Sequence, residues 1–109
     1  MLTRILALAA CLAAASIDPA LAQESGNPDS GFNYAKRACA LCHAIRQDDN
    51  HSPNPKAPSF QAIANASGVT GISLAATLHS VHEDMPNFVL RANERDNIVA
   101  YILSLKRER

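Results

Sequence analysis

Arg37-Ala38-Cys39-Ala40-Leu41-Cys42-His43-Ala44-Ile45 is the stretch that decides how this chain is read. Two thiols three positions apart, with an imidazole directly after the second, fit the C-x-x-C-H pattern of covalent haem attachment. The spacing has a mechanical reason. On one helical turn both thiols reach the two vinyl groups of a haem lying against that turn, and the adjacent imidazole then points at the iron. Two rivals share the C-x-x-C half of the pattern. A structural zinc site needs four ligands at closed spacing, yet no second Cys pair or H-x(3–5)-H follows, and His79 and His82, three apart, would require a mixed Cys2His2 set. A thioredoxin-like dithiol expects a βαβ context, and no alternating strand pattern occurs in this sequence.

Upstream of the motif, Arg4, an apolar run over 5–17 and the small residues Ala20-Leu21-Ala22 predict an export signal over 1–22 that is removed from the mature chain. The apolar run is short for a membrane span and is closed by Asp18 and Pro19, so the sequence predicts no span after signal removal. Leu8-Ala9-Ala10-Cys11 gives a rival reading, a lipoprotein box that would place a lipid on Cys11. The apolar stretch before Cys11 is shorter than such signals usually carry. Export predicts a periplasmic location, which suits haem attachment because the covalent link is made outside the cytoplasm. It also removes Cys11 and leaves Cys39 and Cys42 as the only cysteines of residues 23–109.

Those 87 residues form one domain, its core at about 30–107, with little apolar material from which to build a centre unaided. A large planar apolar group would supply it. Ten basic residues less Arg4 and ten acidic residues less Asp18 leave nine of each, a balance that disfavours nucleic-acid binding. The basic terminus Lys106-Arg107-Glu108-Arg109 reads as a solvated helix end complementing the helix dipole.

The periodicity is helical throughout. Residues 23–29 read as a flexible leader, followed by a helix capped by Ser30 with Phe32, Ala35 and Cys39 on one face. Three prolines make 47–58 a loop. A short helix over 59–66 ends at Gly68, and another over 72–82 aligns Leu74, Leu78 and Val81. The last helix has Asn93 as its cap, Glu94 and Asp96 in its first turn, Ile98, Tyr101, Ile102 and Leu105 along one stripe, and Lys106 and Arg107 at its end. The fold class is therefore all-α, with three to five short helices.

At this point the chain resembles the small soluble class I c-type cytochromes, a bacterial mono-haem family. Gly31, Ala35, Cys39, Cys42 and His43 fall at the spacing of that family's first helix, and 96–102 resembles its last. The resemblance implies a small cytochrome c fold around one covalent haem c, its terminal helices crossing with Gly31 and Ala35 against Ile98 and Tyr101. It implies Cys39 and Cys42 as haem anchors and His43 as one axial ligand of the iron. Met85, in Met85-Pro86-Asn87-Phe88, resembles the second, with His79 and His82 as competitors. It further implies a proline carbonyl accepting the other ring proton of His43, for which Pro58 is the first choice and Pro55 the second. The plainer reading is that the prolines merely stiffen the loop. Phe60, Ile63, Leu74, Leu78, Phe88 and Leu90 are read as pocket and core. The chain departs from the family in lacking tryptophan and in its long stretch over 48–58, so propionate partners are unassigned.

The expected function is periplasmic single-electron transfer between a redox-protein donor and acceptor, without enzymatic turnover, by a diffusible monomer or a small subunit of a dehydrogenase or reductase. The alternative is a haem enzyme or gas-binding sensor whose distal site is open or His-ligated.

Overall fold

The computed structural model describes residues 25–80 and 84–107. The expected signal over 1–22 with its Cys11, and Val81 and His82, lie outside the described residues. Four helices make up the fold: α1 (Pro28–Ala38), α2 (Phe60–Asn65), α3 (Gly71–His79) and α4 (Ala92–Ser104). Among the described residues there is no strand, and no helix is long and apolar enough to cross a membrane. The molecule is all-α, as the periodicity predicts.

The helix starts differ from the expected ones, and the reason is local. The Asn27 side chain accepts the Ser30 N–H at 2.9 Å, and Pro28 sits in the first turn, where its fixed φ suits a helix and its missing N–H costs nothing. Ser30 is thus inside α1 rather than its cap. The residues before it are not a free leader either: the Asn27 N–H donates to Asn97 Oδ1 at 2.8 Å, and a Cβ on Gly26 would come within 2.0 Å of the Asp96 carbonyl oxygen. In α4, Arg91 takes the cap position and Asn93 falls in the first turn. Glu94 determines this start by accepting both the Arg91 backbone N–H and its guanidinium, each at 2.9 Å. α3 opens one residue before its expected start with a reciprocal Thr70–Ser73 capping box.

The dominant packing is α1 against α4. A side chain on Gly31 would put Cβ 1.9 Å from the Asn97 carbonyl oxygen and 2.8 Å from Tyr101 Cβ, so only glycine lets the two backbones meet here. One turn later Ala35 is fully sequestered, and across the seam Ile98 is 1% exposed. Phe60, Leu74, Ile102 and Leu105 continue this core, joining α2 and α3 to α4. Lys106 and Arg107 lie beyond the end of α4 rather than in its last turn. Arg107 has a different task from the expected solvated helix end: its backbone N–H donates to Asn65 Oδ1 at 3.0 Å and its guanidinium pairs with Asp48.

Candidate functional site

α1 carries the motif to its place and then releases it. Cys39 caps the helix, its N–H still donating to the Ala35 carbonyl at 2.8 Å, and the Cys39 carbonyl accepts the N–H groups of Cys42 (3.1 Å) and His43 (2.9 Å). This tight turn brings both thiols and the imidazole to the wall of one cavity of about 450 Å³, within the size range of small-ligand and cofactor sites. Leu41, Ile63, Val69, Leu74 and Phe88 give the cavity an apolar lining, broken by Asn54, Lys56, Ser73, Thr77 and Asp84. A large apolar group with a polar edge fits such a lining.

Cys39 and Cys42 are both half-buried. Burial pushes the Cys39 thiol up to about 11, the reverse of the lowered value that makes a cysteine a redox nucleophile. That direction counts against Cys39 as the activated sulfur of a dithiol. Of the mixed Cys2His2 set that the zinc rival needs, His79 does not line the cavity that holds Cys39 and Cys42.

His43 Nδ1 lies 2.6 Å from the Pro58 carbonyl oxygen. A carbonyl can only accept, so Nδ1 carries the proton and Nε2 keeps its lone pair, the tautomer required of an imidazole that binds a metal. Pro55 is exposed and does not line the cavity. Phe60 packs beside the imidazole with ring centroids 5.5 Å apart, and the Phe60 N–H donates to the Ala44 carbonyl at 2.9 Å, closing the chain back onto the motif.

Met85, half-buried, lines the same cavity together with Pro86 and Phe88. His79 does not line it: the residue is exposed, with Nδ1 3.5 Å from Arg95 Nη1. Of the residues read from the sequence as pocket or core, Phe60 and Leu74 are buried, Ile63, Leu78 and Leu90 are packed against the core, and Phe88 is 39% exposed on the cavity wall.

Sequence reasoning missed one buried polar residue. Gln61 is 4% exposed, donates Nε2–H to the Leu105 carbonyl at 2.6 Å and accepts the Asp48 N–H at 3.1 Å. It ties the end of α4 to the loop after the motif. A glutamine between Phe60 and Ala62 leaves no periodic signature that would have identified it.

Neither a family model nor a solved structure matches this chain. A curated relative does: cytochrome c-552 of Bradyrhizobium diazoefficiens is 36% identical over 93 residues, covering 85% of this chain and 86% of the relative. Helices, motif turn and cavity define a small all-α protein built around one covalently held porphyrin. With that relative spanning nearly the whole domain, the chain belongs to the small c-type cytochromes, and its cofactor is haem c. It is an electron-transfer cytochrome.

Proposed function

We propose that this protein is an exported, periplasmic single-electron carrier in which Cys39 and Cys42 form the thioether bonds to haem c and His43 Nε2 and Met85 Sδ are the two axial ligands of its iron. The observation that carries the reading is the convergence of Cys39, Cys42, His43 and Met85 on one apolar cavity, with His43 Nδ1 already committed to the Pro58 carbonyl. When bound, the haem supplies a metal that exchanges one electron with its surroundings. The chain's own part is to fill both axial positions, so that oxidation and reduction change the coordination little and no vacant site remains for substrate. Pro58 would orient the imidazole and raise its basicity, while the Met85 thioether, a weaker donor than imidazole, would stabilise ferric iron less than a second histidine and so favour the ferrous state.

The partners in this reading are a redox-protein donor and acceptor. The protein serves either as a free monomer or as the cytochrome subunit of a dehydrogenase or reductase. Its balanced net charge supports short-range docking rather than long-range steering. The test is optical. The ferric protein is expected to show a methionine-to-iron charge-transfer band, and the reduced protein to ignore carbon monoxide. A high-spin spectrum with rapid carbon monoxide binding would instead mean an open-site haem enzyme or gas sensor.

A further inference from the structure

Apart from the bonds of Asp48 to Gln61 and Arg107 and of the Asp49 N–H to the Arg46 carbonyl, the hydrogen bonds of the 47–57 segment fall into two sets. One set stays within the loop: the His51 N–H donates to Asp49 Oδ1 and the Lys56 N–H to Asn54 Oδ1, each at 3.0 Å. These shape the loop and reach nothing else. The other set reaches outward, to the residues next to His43 and Pro58. The Ala44 N–H donates to Ser52 Oγ at 3.0 Å, the Asn54 N–H donates to the Cys42 carbonyl at 3.1 Å, and Ser59 Oγ–H donates to Asn50 Oδ1 at 3.1 Å. Ser59 is 4% exposed, and its hydroxyl oxygen also accepts the Ala62 N–H at 3.0 Å as the cap of α2.

We propose that this loop is a brace for the axial imidazole, with Ser52 and Asn50 as its positioning residues. They hold the residues that directly follow His43 and Pro58, and so fix the Nδ1–H···O=C bond between those two residues. The inference rests on the reading that His43 Nε2 binds the iron. Backbone bonds alone leave this bond hinged: the Phe60 N–H to Ala44 carbonyl bond ties the two segments together, but nothing in it sets the approach of the Pro58 oxygen to the ring. Ser52 pins the peptide on the imidazole side, and Asn50 pins the hydroxyl on the carbonyl side. Both anchors come from one short loop, so the two sides move together. A short Nδ1–H···O bond makes Nε2 a stronger donor, which favours ferric iron. Loosening it weakens the donor and raises the midpoint potential.

The experiment uses exported holoprotein of the parent and of Ser52→Ala, Asn50→Ala and Ser52→Thr. It measures the midpoint potential, the solvent exchange of the His43 Nδ1 proton and the unfolding temperature. Both alanine variants are expected to have a higher potential and an Nδ1 proton that exchanges on the order of tenfold faster, the effect of losing one net hydrogen bond. Ser52→Thr, which keeps the hydroxyl, should return both readouts to the parent values. Potential and exchange unchanged in both alanine variants, whatever happens to the unfolding temperature, would overturn the proposal and leave the loop's bonds merely structural. If Ser52→Ala does not accumulate, Asn50→Ala decides alone, because that side chain is exposed and its loss opens no cavity. Failure of the underlying reading shows separately, in the parent, as the lack of a low-spin couple with a ligated imidazole.

Discussion

On one side of the cavity, residues 42–60 fold back on themselves through side-chain and backbone hydrogen bonds that end on His43 and its neighbours. On the other, 84–90 brings Met85, Phe88 and Leu90 to the cavity and core as apolar side chains, with Phe88 39% and Val89 94% exposed. The hydrogen-bonded wall satisfies its own polar groups and can stand before anything fills the cavity. The apolar wall gains when a large apolar surface is laid against it. This division suits a carrier. In the proposed ligation, His43 on the hard wall would set the electronics and Met85 on the soft wall would complete the coordination.

The largest expected effect comes from exchanging the two proposed ligands, His43 and Met85, for alanine in turn. His43→Ala should yield almost no stable holoprotein. Met85→Ala should keep its haem but lower the potential and bind carbon monoxide when reduced, an asymmetry read from pigment yield and spectra of exported protein. Equal losses in both variants would mean that the two walls do not differ.

Next comes the seam beneath the hydrogen-bonded wall. Gly31→Val would drive Cβ into the Asn97 carbonyl, and the helix pair must part. A loss of about 3 kcal/mol or more by denaturant titration is expected. Gln61→Leu should cost less, about 2 kcal/mol, because it strands the Leu105 carbonyl and the Asp48 N–H while preserving volume. For a domain of this size that corresponds to a fall in unfolding temperature of roughly 8–16 °C.

The smallest effect separates the walls by pH. The hydrogen bond from the Arg91 guanidinium, followed by the Arg91 backbone N–H, holds the Glu94 carboxyl below its ordinary range. A lowered folded value contributes stability that is present above the unfolded-state pKa and lost as pH falls through the folded one. Arg91 is where 84–90 enters α4, so acid should loosen the apolar wall first, whereas amide-to-carbonyl bonds around His43 do not titrate. Relative to intrinsic exchange rates, amide protection at Arg91 is expected to fall more on acidification than at Ala44, and Glu94→Gln should abolish that difference.

Much of this was legible in the sequence, and what was not shares a cause. The motif turn and the α4 stripe of Ile98, Ile102 and Leu105 could be read because covalent chemistry and helical period leave fixed spacings, while the close approach at Gly31 came from the family resemblance. The caps of α1 and α4 were misplaced because residue type alone favoured Ser30 and Asn93. Asn27 with Pro28, and Glu94 reaching back to Arg91, won through bonds made outside the apolar period. Loop 47–58 was legible as a loop, but its work was not. The bonds of Asn50, Ser52 and Gln61 span eight to 44 residues and depend on where the chain returns, which no local pattern encodes.

The intact mass of the full chain produced in a haem-attaching host tests the account most directly, together with alkylation of its thiols. The account predicts a polypeptide heavier by one haem, with Cys39 and Cys42 both resistant to alkylation, and a pigment that acid-acetone cannot extract. An unmodified polypeptide mass with two reactive thiols would contradict it.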